Sequence, residues 1–190
     1  RSVVGSVMAA ALDSRYVSAR KDERVAAANI LTGPTGTANV ADKAGLIEDV
    51  KAALFAAKIV SYAQGLCLIK EAGNQLGWDI DLGECARIWK GGCIIRAQFL
   101  YDISKAFRNN PSLPTLLIDP FFSTAITDRE GALRRVVSLC ALNGVPCPAM
   151  GAALNYYDSY RPGSLPANLT QAQRVVFGGH SFERTDTDGA

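Results

Sequence analysis

Arg174 and His180 lie six residues apart in a segment punctuated by Pro162, Gly163 and Pro166 before it and by Gly178-Gly179 within it. An arginine offers a planar fork of donors that matches a phosphate or a carboxylate. A histidine donates from one ring nitrogen or from both, according to pH. Paired glycines let the backbone turn closely around whatever the segment touches. The chemistry these residues suit is capture of an anion. His180 is the single histidine of the chain. Arg15, an isolated positive charge in Ala11-Leu12-Asp13-Ser14-Arg15-Tyr16-Val17, is a third candidate. The same residues also read as solvated side chains on a surface tail, and spacing alone does not choose between the two.

Other chemistries find no support. No GxGxxG follows a strand pattern, so a dinucleotide fold is not expected within these residues. A P-loop and a GxSxG elbow are also missing, and a Ser-His-Asp triad built on His180 would have no elbow behind it. The five cysteines, Cys67, Cys85, Cys93, Cys140 and Cys147, are scattered without a CxxC pair. With one histidine they do not suggest a zinc site, and no metal is expected. They read as buried thiols in a reducing compartment. The chain has 190 residues, 20% charged and 48% hydrophobic, with a net charge of +2. No basic stripe with interleaved aromatics appears, so no nucleic-acid partner is expected. No run of 18 apolar residues is present, so no membrane span is expected either. The first residue is Arg1, inside an apolar run without a signal-peptide layout. The expectation is therefore a cytoplasmic piece of something longer, with an organelle such as a peroxisome as the alternative.

The elements that must position these residues read as helices. Residues 2–31 carry apolar groups at helical spacing, with a charged face Arg20-Lys21-Asp22-Glu23-Arg24 and a stop at Thr32-Gly33-Pro34. Residues 35–40 read as a loop. Residues 43–73 read as one long helix, apolar on more than one face and so covered by a core or a partner. Lys58 and Tyr62 lie in it, with structural or interface roles. Asp81-Leu82-Gly83-Glu84 has the form of a capping box. A short helix to Lys90 follows, Gly91-Gly92 breaks it, and a further helix runs to Phe107. Asp119-Pro120 opens a helix to about Leu142, with Gly144 as its C-terminal cap. Pro148 opens another to about Tyr160, and a last short helix covers about 169–177. No alternating strand pattern appears, and the fold class expected is all-α.

Two strings are specific enough to suggest a family. Ala167-Asn168-Leu169, Gln171-Ala172-Gln173-Arg174, Phe177-Gly178 and His180 closely resemble the C-terminal tail of the 6-phosphogluconate dehydrogenases. Arg87-Ile88-Trp89-Lys90-Gly91-Gly92-Cys93-Ile94-Ile95-Arg96 is similar to a signature of that family's helical domain. Ser14-Arg15 with Lys21-Asp22-Glu23-Arg24, Ala57-Lys58-Ile59-Val60-Ser61-Tyr62-Ala63-Gln64-Gly65, Asp119-Pro120-Phe121-Phe122 and Tyr156-Tyr157-Asp158-Ser159-Tyr160-Arg161 extend the resemblance over nearly the whole chain.

The resemblance implies a helical C-terminal domain of an enzyme that oxidatively decarboxylates 6-phosphogluconate to ribulose 5-phosphate with NADP, in the pentose phosphate pathway. It implies a homodimer whose tail enters the neighbouring subunit and completes its substrate site. Residues 1–161 would be the helical dimerisation and substrate domain, and 162–190 the exchanged tail. Arg15 and Arg174 match the family's substrate-phosphate arginines, and His180 matches the tail histidine that reaches the substrate. The catalytic lysine and glutamate, and the dinucleotide-binding domain that holds most of the NADP, would precede Arg1. This chain alone is therefore expected to be inactive and carries no catalytic residue.

Some positions depart from the family pattern. Val175 stands where an acidic residue is common, and Ser181-Phe182 where Thr-Tyr is frequent. The loop from Thr32 to Asp42 also differs. Two rival readings are a non-catalytic helical dimerisation or scaffold module, and a relative that acts on a different hydroxyacid. A non-phosphorylated acid would have no need of both Arg15 and Arg174.

Overall fold

The computed structural model describes residues 3–34 and 39–183. Most of the loop expected over 35–40, and the tail beyond 183, lie outside the described residues. The described residues form helices joined by turns, without a strand. The fold is all-α. It divides into two compact units, Arg1–Tyr156 and Tyr157–Ala190.

In the first unit, α1 (Ser6–Ala19) and α2 (Lys21–Ala28) occupy the span expected as one helix. The break falls at Arg20, with φ −86° and ψ 56°. The Arg24 side chain explains it. Its Nε donates to the Val17 carbonyl at 3.1 Å and its Nη2 to the Ser18 carbonyl at 3.0 Å. A cation closes the C-terminal end of α1, where orphan carbonyls and the helix dipole both favour it. The other end of α1 is held by the core. Gly5 offers no capping side chain, so the Val7 amide donates to Gln64 Oε1 at 3.1 Å.

α3 (Lys43–Leu76) is the spine of this unit. The Asp42 side chain caps its start by accepting from the Gly45 amide at 2.8 Å. Its end is Gly77, at φ +69°, a left-handed cap that suits glycine. Gly73, the last residue of the expected span, stays inside the helix. A Cβ at that position would come within 3.1 Å of Ile80 and 3.2 Å of the Trp78 carbonyl, so Gly73 allows the returning chain to pass. By length and hydropathy α3 could cross a membrane, but 44% of its most apolar window is buried inside the protein.

α4 (Leu82–Ile88) and α5 (Phe99–Asn109) pack on one another. Asp81 caps α4 as expected, accepting from the Glu84 amide at 2.9 Å. The reciprocal half of the capping box is replaced, since the Glu84 carboxylate pairs with Arg87. The helix expected directly after Gly91-Gly92 starts only at Phe99. Gly92 takes φ +64° and the chain runs through turns before α5.

A 3-10 turn, Leu116–Ile118, leads into α6 (Pro120–Leu142), which packs along α3. Asp119 Oδ1 accepts from the amides of Phe121 and Phe122 at 3.0 and 3.2 Å. The interior between these elements is built from Ile59, Leu66, Leu100, Ile103, Phe122, Ile126 and Leu133. The Phe99 ring sits edge-on to Phe55, Tyr62 and Phe122, with centroids 4.8–6.0 Å apart. At the end of α6 the Val145 amide returns to the Cys140 carbonyl at 2.9 Å, and Gly144 takes φ +67°. A Cβ on Gly144 would also stand 2.8 Å from the Pro34 carbonyl. α7 (Pro148–Tyr160) follows and carries the boundary between the units.

The five cysteines are free, and none is fully buried. This corrects the expectation of buried thiols: each cysteine keeps partial exposure, Cys67, Cys85 and Cys140 on helices and Cys93 and Cys147 in connecting segments. Partial burial still pushes the Cys67, Cys85 and Cys147 thiols above their usual range. In Cys147 contact with the Cys140 thiol adds to that shift.

Candidate anion-binding corner

The second unit contains α8 (Ala167–Gly178). Pro166 precedes the helix, and Gly179, at φ +64°, ends it with its amide on the Val175 carbonyl at 2.9 Å. That left-handed residue reverses the chain, so the residues after it come back along the last turns of the helix. His180 and Ser181 are thereby brought beside Arg174 and Gln171. Together with Phe182 and Glu183 these side chains line an open cavity of about 420 Å³.

Arg174 Nη1 donates to Gln171 Oε1 at 3.2 Å, and Gln171 Nε2 donates to the Ser181 carbonyl at 2.7 Å. The partner of the guanidinium is a neutral amide, and no anion pairs with it among the described residues. Glu183 lines the same cavity, but forms no ion pair with Arg174 among the described residues. The His180 ring packs over Gly178, with Nε2 3.4 Å from where a Cβ would stand. A Cβ at 178 would meet the imidazole at ordinary van der Waals distance. The corner thus offers guanidinium and imidazole donors to one open space. That arrangement can hold an anion with charge-assisted hydrogen bonds.

Arg15 belongs to the first unit. It is exposed on α1 and has no hydrogen-bond or ion-pair partner among the described residues. Its neighbours Asp13, Ser14 and Val17 border a largely apolar groove of about 870 Å³, closed on the other side by Val137, Val145 and Pro148. The structure therefore gathers Arg174 and His180 in one unit and sets Arg15 in the other. Lys58 has no role in either place: its ammonium lies 5.4 Å from the Phe99 ring centre. Tyr62 joins the same ring cluster and donates to the Ile95 carbonyl at 3.5 Å, with its phenol pushed up by burial. Gln171 stands in the sequence only as part of the tail string and is not singled out there as a site residue. The available signal was its place one helical turn before Arg174, where two side chains meet.

Residues 1–190 match the family described as 6-phosphogluconate dehydrogenase, C-terminal domain. The chain belongs to this family. It is 54% identical over 189 residues to 6-phosphogluconate dehydrogenase, decarboxylating 1, of Oryza sativa subsp. japonica, covering 100% of this chain and 39% of that one. To the NADP(+)-dependent, decarboxylating 6-phosphogluconate dehydrogenase of Bacillus subtilis it is 49% identical over 176 residues, covering 93% of this chain and 38% of that protein. A solved structure of the Plasmodium falciparum enzyme, described in its apo form, with its cofactor NADP+ and with its substrate 6-phosphogluconate, superposes with a TM-score of 0.91. That match has 39% identity and covers 98% of this chain and 40% of the other. The chain thus spans about two fifths of the length of the proteins it matches.

Proposed function

We propose that this chain is the helical, substrate-completing part of an NADP-dependent enzyme that oxidatively decarboxylates 6-phosphogluconate to ribulose 5-phosphate, in the pentose phosphate pathway. Arg15, Arg174 and His180 are its substrate-binding residues, with the two arginines on the phosphate. Two guanidinium groups on a phosphate dianion fix one end of the substrate, and that orients the reacting carbons at the other. The observation that carries this reading is the cavity in which Arg174 and His180 converge, with no ion pair on the guanidinium among the described residues.

The enzyme is a homodimer in this proposal, and the tail completes the neighbour's site. Support comes from α8, which buries no residue and leaves Leu169, Val176 and Phe177 exposed. A helix with such uncovered apolar groups gains from a partner surface. On α3, Ile47, Val50 and Leu54 are exposed in the same way. The free thiols support a reducing compartment, and the cytoplasm is proposed.

The cofactor is not fitted by the residues described. They contain no strand, hence no strand–glycine-turn–helix to cradle a pyrophosphate. NADP is accordingly assigned to the other domain of the family, and no chemical step is assigned to a residue of this chain.

The test is activity of the full-length gene product with 6-phosphogluconate and NADP, following NADPH absorbance and carbon dioxide together. Equal amounts of both products are the expected result. A folded dimer that yields neither would favour the scaffold reading.

A further inference from the structure

Gln171 touches both halves of the anion-binding corner. Its Oε1 accepts from Arg174 Nη1 at 3.2 Å, and its Nε2 donates to the Ser181 carbonyl at 2.7 Å. The two partners fix the orientation of the amide. A guanidinium needs an acceptor and a carbonyl needs a donor, so turning the amide over would break both bonds. Arg174 projects from α8, whereas Ser181 lies beyond the Gly179 reversal. One side chain therefore ties the helix to the strand of chain that carries His180.

We propose that Gln171 is a positioning residue: a latch that holds Arg174 and the His180 segment in the arrangement that receives the phosphate group of the substrate. This deepens the proposed function and rests on it. A long arginine side chain and a loop that must be ordered at the moment of binding both weaken affinity, and prior ordering removes that cost. A neutral amide is the suitable partner, because it orients the guanidinium without competing for its charge. A carboxylate at 171 would hold Arg174 more tightly and contend with the incoming phosphate. It would also set two acceptors, itself and the Ser181 carbonyl, against each other.

The experiment uses the full-length enzyme with Gln171→Ala, Gln171→Met and Gln171→Glu, beside Arg174→Ala. KM and kcat are measured with 6-phosphogluconate, and inorganic phosphate serves as a competitive inhibitor that probes the phosphate site alone. Loss of both hydrogen bonds in the Ala and Met variants is expected to raise KM and the phosphate inhibition constant in parallel, by roughly tenfold, with kcat unchanged. Gln171→Glu is expected to raise both further. Wild-type constants in the Ala and Met variants, alongside a raised KM in Arg174→Ala, would overturn the latch and leave the site reading intact. Wild-type constants in Gln171→Met alone would show that bulk, not hydrogen bonding, is what the position supplies, and would also overturn it. An unchanged KM in Arg174→Ala would bring down the site reading and the latch with it.

Discussion

The backbone N–H of Val7 donates to the carboxamide oxygen of Gln64 at 3.1 Å, across 57 positions of sequence. Gln64 is 1% exposed on α3, and its Nε2 donates in turn to Ser6 Oγ at 3.0 Å. A core side chain thus caps the first turn of α1, the helix that carries Arg15. Replacing Gln64 with Leu keeps an apolar fill but leaves the Val7 amide without a partner in a buried place. The expected cost is about 1–3 kcal/mol. Urea unfolding of the full-length protein measures it, and a wild-type midpoint would show that the cap contributes nothing.

Arg174→Ala removes one of the proposed phosphate partners. The expected outcome is a large rise in KM for 6-phosphogluconate, equivalent to roughly 2–5 kcal/mol. Arg174→Lys restores the charge but not the planar fork, and should recover only part of the loss. Steady-state kinetics on the full-length dimer decides the matter, and an unchanged KM refutes the assigned role.

Where local chemistry sets a boundary, the sequence predicts it well. Asp119-Pro120 starts α6 because a carboxylate next to a proline satisfies the first amides whatever the rest of the chain does. Pro148 starts α7 for a similar local reason. Where a distant partner sets the boundary, the sequence is silent. α1 ends at Ala19 because the Arg24 guanidinium takes its last carbonyls, and Gly73 stays helical because Ile80 and Trp78 return across it. The start of α5 at Phe99 belongs to the same class, since Phe99 is fixed by the ring cluster with Phe55, Tyr62 and Phe122.

The candidate site divides along the same line. Arg174 and His180 were visible as charged or titratable groups beside glycines. Gln171 offers only its spacing from Arg174, because a neutral amide in a helix gives no sign of the Ser181 carbonyl that it also bridges. Its function exists only once Gly179 turns the chain back.

Asp119→Ala tests the N-terminal cap of α6. The Asp119 carboxylate accepts from two amides, and the second donor, Phe122, has a wholly buried side chain. The expected loss is about 1 kcal/mol, and Asp119→Asn should retain most of the stability, since asparagine caps nearly as well. Denaturant midpoints of the three proteins give the ranking, and equal losses for Ala and Asn would point instead to the charge.

Acid should weaken the join between α3 and α6. Arg135 grips Asp49 with both arms, Nη2 to Oδ1 at 2.6 Å and Nε to Oδ2 at 2.8 Å. The hydrogen bonds and charge of Arg135 hold the Asp49 carboxyl below its ordinary value of 3.8. A group whose pKa is lowered by folding stabilises the folded state when ionised. That contribution is complete above the unfolded value and is lost as pH falls through the lower folded one. The pair is exposed, so its effect is small and is screened by salt. Asp49→Asn should therefore lower stability slightly near neutrality and flatten its fall on the acid side of about pH 4, the two proteins converging as the wild-type carboxylate protonates. Unfolding midpoints measured from neutral pH down into that range, at low and high salt, give the comparison. An acid limb identical in wild type and Asp49→Asn at low salt would show that the pair is not part of the acid response.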